Sequence, residues 1–124
     1  MTFAAADWVA VADDLVARAG VPLPEEAALR AAIGRYYYAC LVTVASRVVT
    51  AATPVERDTT HAQVLRALRD RDDPSAQLVQ ADLSMLRVER NRAEYGEPLS
   101  GDLRTLAGRT RALATRVLKR AASL

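Results

Sequence analysis

Arg87, Arg90, Asn91, Arg92, Glu94 and Tyr95 crowd one short stretch of the chain, Leu86 to Gly96. Their types allow two kinds of chemistry: guanidinium groups that hold an anion such as phosphate, and a carboxylate or phenol that could move a proton. Stepping back from Arg90 by helical intervals meets Leu86, Leu83 and Val79. Arg90 therefore continues an apolar seam that should face the core or a partner. A charge in that position needs a partner. It is either a structural ion pair or a site for an anionic ligand. Arg87, Arg90 and Glu94 also stand three and four residues apart, the spacing of a plain intrahelical ion-pair ladder.

His61, the one histidine, is the other acid–base candidate. It shares a helical face with Val64, Leu65 and Leu68, where a lone His is more often packed or capping than catalytic. Tyr36, Tyr37 and Tyr38 point about 100° apart on a helix, so they cannot all face inward. Tyr37 is expected in the core. An exposed neighbour, Tyr36 among the candidates, could stack on a base or sit at a subunit contact.

These residues need helices to place them, and the sequence supplies about five. The first is expected over Phe3 to Ala19, ended by Gly20 and Val21-Pro22-Leu23-Pro24. The second opens at Glu25 and Glu26, whose charges suit a helix start, and runs to about Ala52. Its stripe of Leu29, Ile33, Tyr37, Leu41, Val44 and Val48, backed by Tyr36, Cys40 and Val42, is apolar almost all round, so it should be central. After a connector at Thr53 to Asp58, Thr59 or Thr60 caps a third helix, His61 to Arg71. A fourth follows from Ser75 to Tyr95, with Gly96 as its left-handed terminator and Glu97, Pro98 and Leu99 beyond. Ser100 or Gly101 begins a fifth, with Asp102 in its first turn. No segment alternates like a strand. The expectation is an all-α, up-and-down bundle of about five helices filling residues 1–124 as one domain.

The chain has 124 residues, 51% of them hydrophobic, and a net charge of +2. That composition suits closely packed helices. Arg104, Arg109, Arg111, Arg116, Lys119 and Arg120 make the final helix basic. Such a face can attract phosphate, nucleic acid or an acidic partner, or can be simply solvated. The chain's basic residues are nearly all Arg, which resembles the codon bias of a GC-rich bacterial genome. Cys40 is the only cysteine, which excludes a disulfide framework or a cysteine zinc site within one chain. Asp7, Asp13 and Asp14 do not suit a signal peptide, and the run Tyr36 to Ala45 is too short to span a bilayer. A soluble, cytoplasmic protein without a membrane segment is expected.

The segment Leu29-Arg30-Ala31-Ala32-Ile33-Gly34-Arg35-Tyr36-Tyr37-Tyr38-Ala39, a lone His opening the third helix, and Arg87-Val88-Glu89-Arg90-Asn91-Arg92-Ala93-Glu94-Tyr95-Gly96 together resemble the HEPN superfamily. The likeness is to its small prokaryotic members, many of them paired with a minimal nucleotidyltransferase. It covers about residues 25–120. The resemblance implies a homodimer in which two copies of the fourth-helix motif meet in a cleft, and a place in a toxin–antitoxin or defence locus. Active members are metal-independent endoribonucleases that use an Arg, a small polar residue and a His about one turn later. They need no cofactor. A histidine suits proton transfer near neutral pH, and an arginine suits the charged phosphorane.

Here Arg90 and Asn91 match the first part of that motif, but Glu94, Tyr95 and Gly96 stand where the His belongs. By this resemblance Arg90, Asn91, Glu94 and Tyr95 form the candidate catalytic set, with Arg87, Arg90 and Arg92 on RNA or nucleotide phosphate. His61 and Tyr36 are possible accessories. The missing His implies weak or absent ribonuclease activity. Tyr95 lies in the region where a Tyr of nucleotidyltransferase-paired members can receive AMP. The alternative is a non-catalytic adaptor for a nucleotidyltransferase or another protein.

Overall fold

A computed structural model describes residues 4–49, 60–96 and 102–124. It is an all-α bundle of five helices: α1 (Ala5–Arg18), α2 (Glu25–Val48), α3 (Thr60–Arg71), α4 (Pro74–Glu94) and α5 (Leu103–Ala121). There is no strand among the described residues. None of their helices is long and apolar enough to cross a membrane.

The axis is α2, which packs against all four other helices. Leu29, Ala32, Ile33, Tyr36, Ala39, Cys40 and Val44 are each almost wholly buried along it. At about 1.5 Å per residue its length is about 36 Å. The side-chain contacts fix the directions of the others. Arg30, near the start of α2, bonds to carbonyls at the end of α4, so these two run antiparallel. Arg104, at the start of α5, reaches Val16 and Ala19 at the end of α1, while Cys40 Sγ meets the Ala114 carbonyl, so α5 runs with α2. The four long helices thus alternate up and down. α3 departs from that alternation: His61 meets Tyr37 and Arg71 meets the Arg47 carbonyl, so it runs alongside the second half of α2 in the same sense.

The boundaries follow local chemistry. α2 ends at Val48, short of the expected Ala52, with Val49 already extended (φ −91°, ψ 118°). Val48 and Val49 are β-branched, and such residues lose rotamer freedom in a helix. Asp73 caps α4 by accepting from the Ala76 amide at 2.7 Å, with Pro74 in the first turn. Asp102 is itself the cap of α5, accepting from the Arg104 amide at 2.9 Å, rather than a first-turn residue. Gly96 takes φ +68° after α4, as a left-handed terminator requires. The connector Thr53–Asp58, Thr59, the segment Glu97–Leu99, Ser100 and Gly101 lie outside the described residues, as do Phe3 and Ala52.

Candidate functional site

Three helices wall a cleft of about 390 Å³. α2 contributes Gly34, Arg35, Tyr37, Tyr38 and Leu41, α3 contributes Thr60 and His61, and α4 contributes Arg87, Arg90 and Glu94. Each long helix supplies residues three, four and seven apart, the spacing that stacks side chains along one face. A second hollow, lined by Arg30, Ala31, Arg35, Ala93 and Glu94, continues the cleft past Arg35 and Glu94.

Arg90 is held in an ion pair and also lines the cleft. Its Nε pairs with Glu94 Oε2 at 3.0 Å, and its Nη1 donates to Asn91 Oδ1 at 3.1 Å. The guanidinium also lies over the Tyr37 ring, 5.6 Å from its centroid. It nevertheless lines the cleft and keeps 34% of its side-chain surface exposed. Glu94 can reach it because α2 has no side chain opposite: a Cβ on Gly34 would stand 2.9 Å from Glu94 Oε1. Arg87 is exposed at the mouth and makes no ion pair among the described residues. Arg35 rests on Trp8, 5.5 Å from its ring centroid.

At the back of the cleft the Tyr37 hydroxyl and His61 Nδ1 share a 2.8 Å hydrogen bond. Both are buried, so Tyr37 belongs to the core as expected. Burial, helped by the charges of Arg87 and Arg90, pushes the His61 pKa down to about 4. His61 therefore stands in the cleft as a neutral ring with one nitrogen already engaged. Such a group lacks the protonated form that a general acid must offer near neutral pH.

The structure divides the other candidates. Asn91 orients Arg90. Tyr95 is 75% exposed beyond the end of α4 and does not line the cleft. Arg92 points to another face of α4, pairing with Glu89 at 3.6 Å. Tyr36 is buried, and its hydroxyl donates to Asp13 Oδ1 of α1 at 2.5 Å, so Tyr38 rather than Tyr36 reaches the cleft.

Most of the α5 charge that the sequence offers to a partner is answered within the chain. Arg111 grips Asp13 at 2.8 and 3.1 Å. Arg116 takes both oxygens of buried Asp82 at 2.9 Å, and Arg120 adds a bond at 3.1 Å. Arg104 pairs with Glu25 at 3.6 Å. Sequence reasoning missed Arg30, whose Nη1 donates to the Arg92 and Ala93 carbonyls and so caps α4 with a cation. It also missed Asp82, whose signal is an acid lying in phase with the buried Val79, Leu83 and Leu86. Arg35 joins the cleft from α2, where the sequence offered tyrosines as candidates but not this arginine.

No protein-family model matches the chain, and neither a curated protein nor a solved structure matches it.

Proposed function

We propose that this chain is a HEPN-like protein of a toxin–antitoxin or defence locus whose α2–α3–α4 cleft binds RNA or nucleotide phosphate, with ribonuclease activity weak or absent. The observation carrying this reading is the convergence of three guanidinium groups, Arg35, Arg87 and Arg90, on a cleft where Glu94 is the single carboxylate among the described residues. The surplus positive charge attracts an anion, and guanidinium geometry suits phosphate oxygens. Neutral, hydrogen-bonded His61 favours holding over cleaving. The cleft is walled by one chain, so a homodimer would carry two such sites.

The test is equilibrium binding of a short single-stranded RNA to the purified protein, to Arg87→Ala and to Arg90→Ala, each with EDTA present and the RNA checked for cleavage. Weaker binding by both variants, with intact RNA, supports the reading; unchanged affinity in both ends it.

One observation favours the adaptor alternative. Leu78, Met85 and Val88 leave about half their surface exposed, on the side of α4 turned away from Arg90. A ridge of that kind suits a protein partner, a nucleotidyltransferase or a second copy. Solution mass, alone and with a co-expressed nucleotidyltransferase, tests it; a monomer in both preparations would count against this reading.

A further inference from the structure

Beside the cationic cleft lies a pair of rings that the phosphate reading does not use. Tyr38, a cleft residue, is 42% exposed. Trp8 of α1 meets it edge to face, the centroids 5.2 Å apart and the planes at 66°. Arg35 joins the two features: its guanidinium sits over Trp8, and its side chain lines both the cleft and the hollow that continues it. Going along this surface, one passes from an aromatic pair, through Arg35, to Arg87 and Arg90.

Free phosphate has no use for the aromatic end. A nucleotide strand has use for both, because its backbone is anionic and its bases offer flat π faces. Proteins that hold single strands combine these same parts, a positive groove for the backbone and aromatic rings on which bases stack. The hollow beyond Arg35 adds length in which a neighbouring nucleotide can lie. A duplex keeps its bases stacked on each other and hides their faces, so it fits this surface poorly.

We propose that Tyr38, buttressed by Trp8 and Arg35, is a base-stacking platform, and that the ligand of the cleft is a single-stranded oligonucleotide held by base and backbone together. This rests on the cleft being an anion site, and it adds the class of ligand. Because stacking accepts any base face, the platform selects for strandedness more than for sequence.

Trp8 is the chain's only tryptophan, so its fluorescence reports on this place alone. The experiment titrates the full chain with a six-nucleotide oligoadenylate, with an abasic sugar-phosphate oligomer of equal length, and with inorganic polyphosphate. Wild type, Tyr38→Ala, Tyr38→Phe and Arg87→Ala are compared. The expected result is that oligoadenylate changes Trp8 emission and binds about tenfold tighter than the abasic strand. Tyr38→Ala should erase that difference, costing oligoadenylate far more affinity than polyphosphate, and Tyr38→Phe should retain it. Arg87→Ala should weaken all three ligands. If the abasic strand binds as tightly as oligoadenylate and Tyr38→Ala changes nothing, the platform is overturned while the anion site stands. If wild type binds none of the three, both fail.

Discussion

The Tyr37 hydroxyl lies 2.8 Å from His61 Nδ1, joining the middle of α2 to the first turn of α3. Both groups are buried, so neither finds water if the other is removed. Tyr37→Phe should lower unfolding free energy by about 1–3 kcal/mol, the cost of a buried polar group left unpaired. Urea denaturation measures it, and a variant as stable as the parent would show that the bond contributes nothing.

His61 also sets a pH dependence. Its folded pKa of about 4 lies below the ordinary value of 6.5, so between them the unfolded chain binds more protons than the folded one. Stability then rises with pH across that window. The contribution is complete above pH 6.5 and is lost as pH falls toward 4. Arg111 holds Asp13 below the usual carboxylate range, and its contribution is lost only at still lower pH. Urea midpoints taken from pH 7 to 4 should fall, and His61→Gln should flatten the slope.

Glu94 is the acid that tempers Arg90, at 3.0 Å. Glu94→Gln should raise affinity for single-stranded RNA several-fold, with roughly 1 kcal/mol at stake in a partly exposed pair. Gly34→Ala should act in the same direction, because its Cβ would displace the Glu94 carboxylate from 2.9 Å away. Replacing a helical glycine also favours the helix by about 1 kcal/mol. A filter-binding series that ranks either variant below the parent would contradict this.

Asp82 neutralises two arginines of α5 from an almost buried position. Asp82→Asn should destabilise the fold by about 1–3 kcal/mol, since the carboxylate loses charge-assisted bonds. It should also release Arg116 and Arg120 to outside anions. Heparin retention should therefore increase even as the thermal midpoint drops, and retention no later than wild type would place the surface charge elsewhere.

Tyr36 gives the control. Its hydroxyl serves Asp13 and not the cleft. Tyr36→Phe should cost about 1 kcal/mol of stability and leave RNA affinity unchanged. A loss of RNA affinity at full stability would return Tyr36 to the site.

Helices, their order and the central place of α2 were legible because hydrophobic periodicity, Pro and Gly report on local structure directly. Arg90 was legible for the same reason: it interrupts the seam of Val79, Leu83 and Leu86. The rest depends on distance along the chain. Nothing near His61 says that α3 runs with α2 and brings its ring against Tyr37 and beside Arg90. Nor does the run of arginines in α5 reveal that Asp13 and Asp82, far earlier, already hold three of them. Charge counted by segment overstated what α5 can offer a ligand. Charge counted by place in the fold moves the interest to Arg35, Arg87 and Arg90.

One consequence follows from α2 being both the axis of the bundle and a wall of the cleft. An occupant that bridges α2, α3 and α4 grips the same rod around which every other helix is packed, so its binding energy adds to the cohesion of the whole molecule. Melting curves recorded over a panel of oligonucleotides would then rank ligands without any label, because whatever fits best would also be the last to let the bundle come apart.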